Sequence, residues 1–269
     1  MQVPISVLQP QTGQIAPRCE QSLNVLSLNI AHGRGLRAHQ LFLPTRTIQQ
    51  HLEDIAALTL REQVDIAGFQ ETDISSFWNG QFNHLRYISR LTGEHHFGGT
   101  AEHMTGPKLQ YGTAILSRYP LLDFSAQRFS EQLPLPRKGF IAATSTWPGD
   151  DSFRFLIISV HLDFLRARNR GLQVQSLTSF INDTALPCVV LGDFNCTWDD
   201  QNSALQKLCR ACHLTCHRTE DSSLFTFPAR RKRWDWIVLS AHFAVIEHKI
   251  LHTQLSDHLP VWAKIERRG

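Results

Sequence analysis

The chain has 269 residues, 42% of them hydrophobic, with a formal charge of +3 and six cysteines. That length supports a sizeable core and is ordinary for one α/β domain, and no apolar run reaches the ~18 residues a membrane span needs. The small charge argues against a strongly basic nucleic-acid binder, but admits a polyanionic substrate wherever positive charge is concentrated.

Residues 1–22 read as a polar, proline-containing extension that adds nothing to the core, leaving residues 23–269 as the expected domain. The extension lacks the apolar stretch of a secretory signal, so a cytoplasmic monomer with mostly free thiols is expected. Leu23 to Asn29 is a largely apolar run that leads into the turn-prone His32, Gly33, Arg34 and Gly35, placing Asn29 at a strand end. Pro44 and Thr47 precede Ile48, Leu52 and Ile55, whose spacing predicts an amphipathic helix to about Glu62, with Thr47 and Gln50 as a capping box. Val64 to Phe69 is the next strand, and it sets Glu71 just beyond its end. Thr113 to Leu116 and Phe153 to Val160 are further strands, rich in β-branched and aromatic residues.

A helix over Arg168 to Asn182 has Leu172, Leu177, Phe180 and Ile181 along one face. Cys188 to Leu191 is a buried strand leading into Gly192, Asp193, Phe194 and Asn195. Ala204 to Leu214 has helical spacing and carries Cys209 and Cys212, which with Cys216 and His217 bear comparison with zinc sites. One Cys-x-x-Cys pair with irregular followers favours a structural role. Trp236 to Leu239 and Val261 to Ile265 complete a mixed sheet system with polar residues gathered at strand ends.

An isolated Asp or Asn at a strand end caps a turn more often than it does chemistry. Here several fall together. Asp193 and Asn195 are two apart, so in extended chain a carboxylate and an amide project to one side. Asp257 and His258 are adjacent, which suits flanking a phosphate more than sharing one ligand. Glu71 offers the hard oxygen that Mg²⁺ prefers, and Mg²⁺ fills the rest of its shell with water and substrate oxygens.

Seven segments then occur in order: LSLNIAHGRG, GFQETD, YGTAILSRYP, SVHLDF, LGDFNC, WDWIVLS and SDHLPVWAKI. From about Leu23 to the C-terminus the chain resembles the endonuclease/exonuclease/phosphatase superfamily, which includes deoxyribonucleases, abasic-site endonucleases, neutral sphingomyelinases and inositol polyphosphate phosphatases. The resemblance implies a four-layer α-β-β-α sandwich of two mixed sheets with helices outside, and divalent-metal catalysis with Mg²⁺ or Mn²⁺. It implies that Glu71 is the principal metal ligand, with Asn29 and Asp257 near the metal or its water. His258 becomes the base and Asp235 its orienting acid, while Asp193 and Asn195 position the attacking water and a phosphate oxygen. His161 resembles the second histidine of the deoxyribonuclease and sphingomyelinase branches. Whether His258 or Asp193 takes the water proton stays open, and no covalent intermediate is required.

The substrate is less defined. Arg230, Arg231, Lys232 and Arg233, bracketed by Phe225, Phe227, Trp234 and Trp236, suit nucleic-acid phosphates and bases or a lipid headgroup, while a solvated loop is the bland alternative. Arg34, Arg137, Arg231 and Arg233 are the substrate-binding candidates, with Lys138 and His32 behind them. The expected enzyme is a phosphodiesterase for a phospholipid or small diester. A Mg²⁺-dependent nuclease is the alternative, and a non-catalytic binding protein comes third.

Overall fold

The computed structural model describes residues 1–10, 21–39, 41, 43–93, 96–130 and 137–268. The strands follow in chain order as β1 (Ile5–Leu8), β2 (Ser22–Asn29), β3 (Ile66–Ser76), β4 (Phe97–Ala101), β5 (Met104–Gly106), β6 (Leu109–Ser117) and β7 (Leu122–Arg128). They continue as β8 (Gly139–Trp147), β9 (Asp150–His161), β10 (Cys188–Asp193), β11 (Leu214–Cys216), β12 (Asp235–Ser240), β13 (Phe243–Ile250) and β14 (Val261–Arg267). The helices are α1 (Thr45–Arg61), α2 (His84–Leu91), α3 (Ala167–Thr184) and α4 (Ala204–Cys212).

The strands build two mixed sheets. One has eight strands in the order β1-β4-β6-β3-β2-β14-β13, with β5 beside β6, and the other has six in the order β11-β12-β10-β9-β8-β7. β2 and β3 are parallel, as are β9 and β10, and the helical connections α1 and α3 make those crossovers. On β2, Leu23 and Val25 face the other sheet while Leu26 and Leu28 face the helices, the two-residue alternation of a strand buried on both sides. Between the sheets Ile66, Ile115, Ile141, Ile157, Val189, Leu191 and Ile237 form the central core. Leu52 and Ile55 of α1 with Leu85 and Ile88 of α2 cover one sheet, and Val174 and Leu177 of α3 with Leu205 and Leu208 of α4 cover the other. The result is the four-layer sandwich.

Three local expectations are corrected. Ile5–Leu8 is not outside the core: it pairs antiparallel with Gly98–Ala101, and Leu8 is buried. The free hydrogen-bonding edge of β4 accounts for this, since the alternating ISVL segment completes its ladder. Residues 11–20 of the expected extension lie outside the described residues. Helix α1 begins at Thr45 behind Pro44 with no side-chain cap, so Thr47 falls in the first turn and the capping box is not made. Proline's fixed φ, here −57°, prepares the helix entry instead. On α3 the buried face is Val174, Leu177 and Ile181 with Asn169 and Gln173, while Leu172 points outward.

Candidate active site

Strand register brings the polar residues to one end of the sandwich. In the six-stranded sheet Asp193 pairs with His161 on one side and Asp235 on the other, while Gly139, next to Lys138, pairs with His161. In the eight-stranded sheet Asn29 pairs with Gln70, next to Glu71. Ser256 ties in the last segment: its hydroxyl donates to the Asn29 carbonyl at 2.7 Å and accepts from the His258 N–H at 3.3 Å. The cavity so formed, about 370 Å³, is lined by Asn29, His32, Arg34, Glu71, Lys138, His161, Asp193, Asn195, Asp257 and His258. Aromatic walls come from Trp78, Tyr111, Phe164, Phe227 and Trp234.

Glu71 is not beyond its strand. It lies inside β3 at φ 55°, where the pairing with β6 skips one residue between Phe69 and Thr72. Such a bulge re-aims a side chain, here into the cavity. Asn195 also departs from the extended chain, with φ 49°, so the turn after β10, and not strand alternation, brings it to the cavity beside Asp193. Its N–H donates to Asp193 Oδ1 at 3.0 Å and its side-chain amide to the Leu162 carbonyl at 3.1 Å.

Asp193 is the hub. Asn29 Nδ2 donates to its Oδ2 at 3.1 Å, and the same oxygen lies 3.3 Å from His161 Nε2 and 3.8 Å from His258 Nε2. His258 Nδ1 is 2.8 Å from Asp235 Oδ2, and Asp235 is itself fixed by its N–H on the Thr226 hydroxyl. Burial works against charge on His258, but Asp235, Asp193 and Asp257 outweigh it and push the imidazole up to about 10. Burial likewise pushes the Asp193 carboxyl above its ordinary range, with the Asp235 charge adding and His258 opposing. Burial and the Lys138 ammonium hold His161 well below its ordinary value, so its ring is neutral and accepts from Lys138 Nζ, 3.0 Å from Nε2.

Glu71 is bracketed by cations. Lys138 Nζ donates to its Oε1 at 3.2 Å, and His32 Nε2 lies 3.7 Å from its Oε2. Burial opposes its ionisation, but Lys138, His32 and Arg34 together hold it well below the usual carboxylate range. A carboxylate kept ionised and facing the cavity fits a hard divalent cation. Asn29 and Asp257 line the same cavity and carry further oxygen atoms, the Asn29 amide oxygen accepting from the Ala31 N–H and Asp257 Oδ2 from Arg34. Asp193, Asp235 and His258 also offer ligand atoms within 4.8 Å of one another, and Asp235 Oδ1 is buried without a hydrogen-bond partner.

The substrate-binding candidates separate. Arg34 lines the cavity and donates to Asp257 Oδ2 at 2.8 Å. Arg231 is exposed with its guanidinium 4.9 Å from the Phe225 ring, and Arg137 is half-buried; neither belongs to the cavity lining. Arg233 is buried away from it, 3.8 Å from the centre of the Trp236 ring, donating to the Arg218 carbonyl and bonded to His248. Arg230, Arg231 and Lys232 are exposed, and after the left-handed turn at Arg231 (φ 50°) only Arg233 points inward, where it braces the core. The cysteine cluster is also remote: Cys209 and Cys216 are free thiols with sulfurs 3.7 Å apart among the contacts of α4.

Asp73, Trp78, Tyr111 and Phe164 escaped the sequence reading. Asp73 stood in view, two residues after Glu71 in GFQETD as Asn195 is after Asp193 in LGDFNC. The aromatic residues carried no local signal.

No curated protein shows significant sequence similarity to the chain. Among solved structures, an endonuclease/exonuclease/phosphatase from Beutenbergia cavernae is similar at 18% identity and TM-score 0.75, over 93% of this chain and 72% of that one. The human nocturnin catalytic domain with bound sulfate is similar at 19% identity and TM-score 0.69, over 99% and 97% of the two chains. A mannosyl-6-phosphatase from Bacteroides thetaiotaomicron is similar at 18% identity and TM-score 0.67, over 92% and 100%. These likenesses show the fold. The Endonuclease/Exonuclease/phosphatase family model matches residues 24–258, nearly the whole span from β2 to the loop bearing His258, and the chain belongs to that family.

Proposed function

We propose that the chain is a metal-dependent phosphodiesterase that cleaves a phospholipid or small phosphodiester by in-line attack of water. The observation that carries this reading is the buried Asp193 carboxylate, held by Asn29 and flanked by His161 and His258, in one cavity with the ionised Glu71. Glu71, with Asn29 and Asp257 nearby, would hold a Mg²⁺ or Mn²⁺ ion, which when bound supplies Lewis-acid stabilisation of charge on a phosphoryl oxygen. Of the two candidates for the water proton, the electrostatics favour Asp193. Its carboxyl is raised out of the ordinary acidic range, whereas His258 between its carboxylates is held as an imidazolium. His258 then donates to the phosphoryl oxygen, Asp235 fixes its ring, and neutral His161 with Lys138 faces the other oxygens.

The lipid preference rests on the cavity mouth. Phe164 lines the cavity yet is 47% exposed, and its neighbour Leu165 is 60% exposed, an apolar rim to a cavity that basic Arg34 also lines. A nuclease is the second reading, supported by the Phe227–Trp234 stack at 4.5 Å with the Arg230 guanidinium 6.0 Å from the Trp234 ring centre. The test is hydrolysis of bis(4-nitrophenyl) phosphate with Mg²⁺ and with chelator, followed by sphingomyelin vesicles and single-stranded DNA. Metal-dependent turnover with preference for vesicles supports the reading. Preference for DNA selects the second, and full turnover in chelator overturns the metal requirement.

A further inference from the structure

Four loops contribute to the cavity lining: Arg34 and Ala38 follow β2, Trp78 follows β3, Phe164 lies between β9 and α3, and Phe227 and Trp234 precede β12. Residues 34–41, 76–83, 164–172 and 225–234, which contain them, hold nine of the 27 arginines and lysines and none of the 24 aspartates and glutamates. A chain of nearly balanced charge thus gathers cations around one opening. Arg37, Arg166, Arg168, Arg230, Arg231 and Lys232 are exposed, and among the described residues none of the six forms an ion pair.

The same loops turn apolar side chains outward. Leu36, Phe77 and Leu165 are 58%, 54% and 60% exposed, each one or two positions from a residue of the cavity lining. Single exposed apolar residues are ordinary, but here they surround one opening, interleaved with cations and without an acid among them. Their backbone is braced. Buried Asp163 accepts from the Leu165 N–H at 2.8 Å, the Arg166 N–H at 2.7 Å and Asn169 Nδ2 at 3.0 Å, and Arg34 Nη1 donates to the Arg37 carbonyl at 2.6 Å. The tips are therefore presented in place, with little ordering left to a partner's arrival.

The cations and rings alone would suit a nucleic acid, but Leu36 and Leu165 have neither a π face for a base nor a polar atom for a phosphate. Aliphatic tips flanked by arginines match a lipid interface, where acyl chains lie beneath anionic headgroups. We propose that this face docks the protein on an anionic phospholipid bilayer, with Leu36, Phe77 and Leu165 entering the acyl boundary and Arg37, Arg166 and Arg168 meeting the headgroups, so that the cleft opens onto the membrane. The inference deepens the lipid reading of the site and rests on it for the use of docking, while docking itself involves no turnover.

We would sediment the full chain with vesicles of phosphatidylcholine alone and of phosphatidylcholine mixed with phosphatidylserine, in chelator, at low and high salt. Thermal unfolding and kcat/KM on bis(4-nitrophenyl) phosphate with Mg²⁺ accompany each variant. The wild type should bind the phosphatidylserine vesicles in preference, and more weakly as salt rises. Arg37→Ser with Arg166→Ser and Arg168→Ser should bind about 10²-fold more weakly, at roughly fivefold per cation. Its diester turnover should be unchanged, since none of the three lines the cavity. Lysine at the same three positions should restore binding. Leu36→Ser with Leu165→Ser should also weaken it, as a purely electrostatic contact would not. Equal binding to both kinds of vesicle, wild-type affinity in a folded serine variant, or tighter binding to single-stranded DNA than to phosphatidylserine vesicles would each overturn the proposal. Should the serine variant not fold, wild-type binding indifferent to salt overturns it instead. A wild type that binds the vesicles but does not hydrolyse the diester would sink the phosphodiesterase reading and leave the docking face standing.

Discussion

His258 Nδ1 and Asp235 Oδ2 are 2.8 Å apart, both side chains are buried, and the remaining ring nitrogen faces Asp193. On the proposed reading Asp235 acts chiefly through the imidazole. His258→Ala should lower kcat/KM by about 10³-fold, within the range for a lost acid–base group, and adding Asp235→Asn should cost little more. The measurement is a double-mutant cycle in kcat/KM with unfolding curves for each variant. Fully multiplicative losses in folded proteins would separate the two residues.

Glu71→Gln keeps the shape of the bulge but removes the charge that Lys138 and His32 bracket. Calorimetric titration with Mn²⁺ should give a binding isotherm for the wild type and a strongly weakened one for this variant. Turnover should fall in parallel and disappear in chelator. Equal Mn²⁺ affinity in both proteins would move the metal to another donor set, with Asp193 and Asp235 the nearest alternative.

Arg233 and Arg231 should respond oppositely. Arg233→Ala removes a buried stack on Trp236 and a backbone hydrogen bond, and should lower stability by about 2–3 kcal/mol with KM unchanged. Arg231→Ala, at an exposed position, should leave unfolding unchanged and raise KM for a polyanionic substrate if the loop meets it. Urea unfolding and Michaelis curves on the two variants distinguish them. A KM effect confined to Arg233→Ala would restore it as a substrate contact.

Three histidines, His84 and His103 buried and His248 half-buried, give a sign to acid sensitivity. Burial, opposed by the Asp73 charge and assisted by that of His32, lowers His84 to about 4. Burial lowers His103 to about 3, helped by Lys138 and Arg128, and His248 to about 3, helped by Arg233 and His217. In each the unfolded chain binds the proton first, so stability holds above the unfolded value of about 6.5 and falls as the pH drops towards 3–4. His258 has the opposite sign. Its contribution is full below about 6.5 and is lost as pH rises through about 10. Urea midpoints at pH 6.5, 5.5 and 5, where the His258 contribution is already full, should decline in that order, and His103→Gln should flatten the decline. A midpoint that rises on acidification would contradict the burial of these rings.

Much of this site could be read from the chain because its residues sit where apolar runs stop. Asn29, His161, Asp193 and Asp235 close or open strands whose both-sided burial makes them continuous in hydropathy. What escaped depended on backbone irregularity or distant pairing. A bulge at Glu71 adds one residue without altering composition, and the edge strand Ile5–Leu8 finds its partner more than ninety positions away. The Trp78 and Tyr111 rings meet His32 only because three separate segments converge. Nor does composition distinguish Arg233, turned inward, from Arg231, turned out.

The close sheet contact beneath the site has its own consequence. At Gly68 an added Cβ would come within 2.7 Å of Leu191 Cβ, so the glycine sets how near β3 can lie to β10. Glu71 and Asp73 belong to one sheet, Asp193 and Asp235 to the other, and this seam acts as the gauge between them. Peripheral loops can then vary without altering the gap across which, on the proposed reading, a phosphate is gripped. A widened seam would separate the two sets of groups while leaving each intact, producing a protein that is folded by spectroscopy yet inert. Loss of turnover ahead of loss of secondary structure during gentle heating would be the signature of the halves drifting apart.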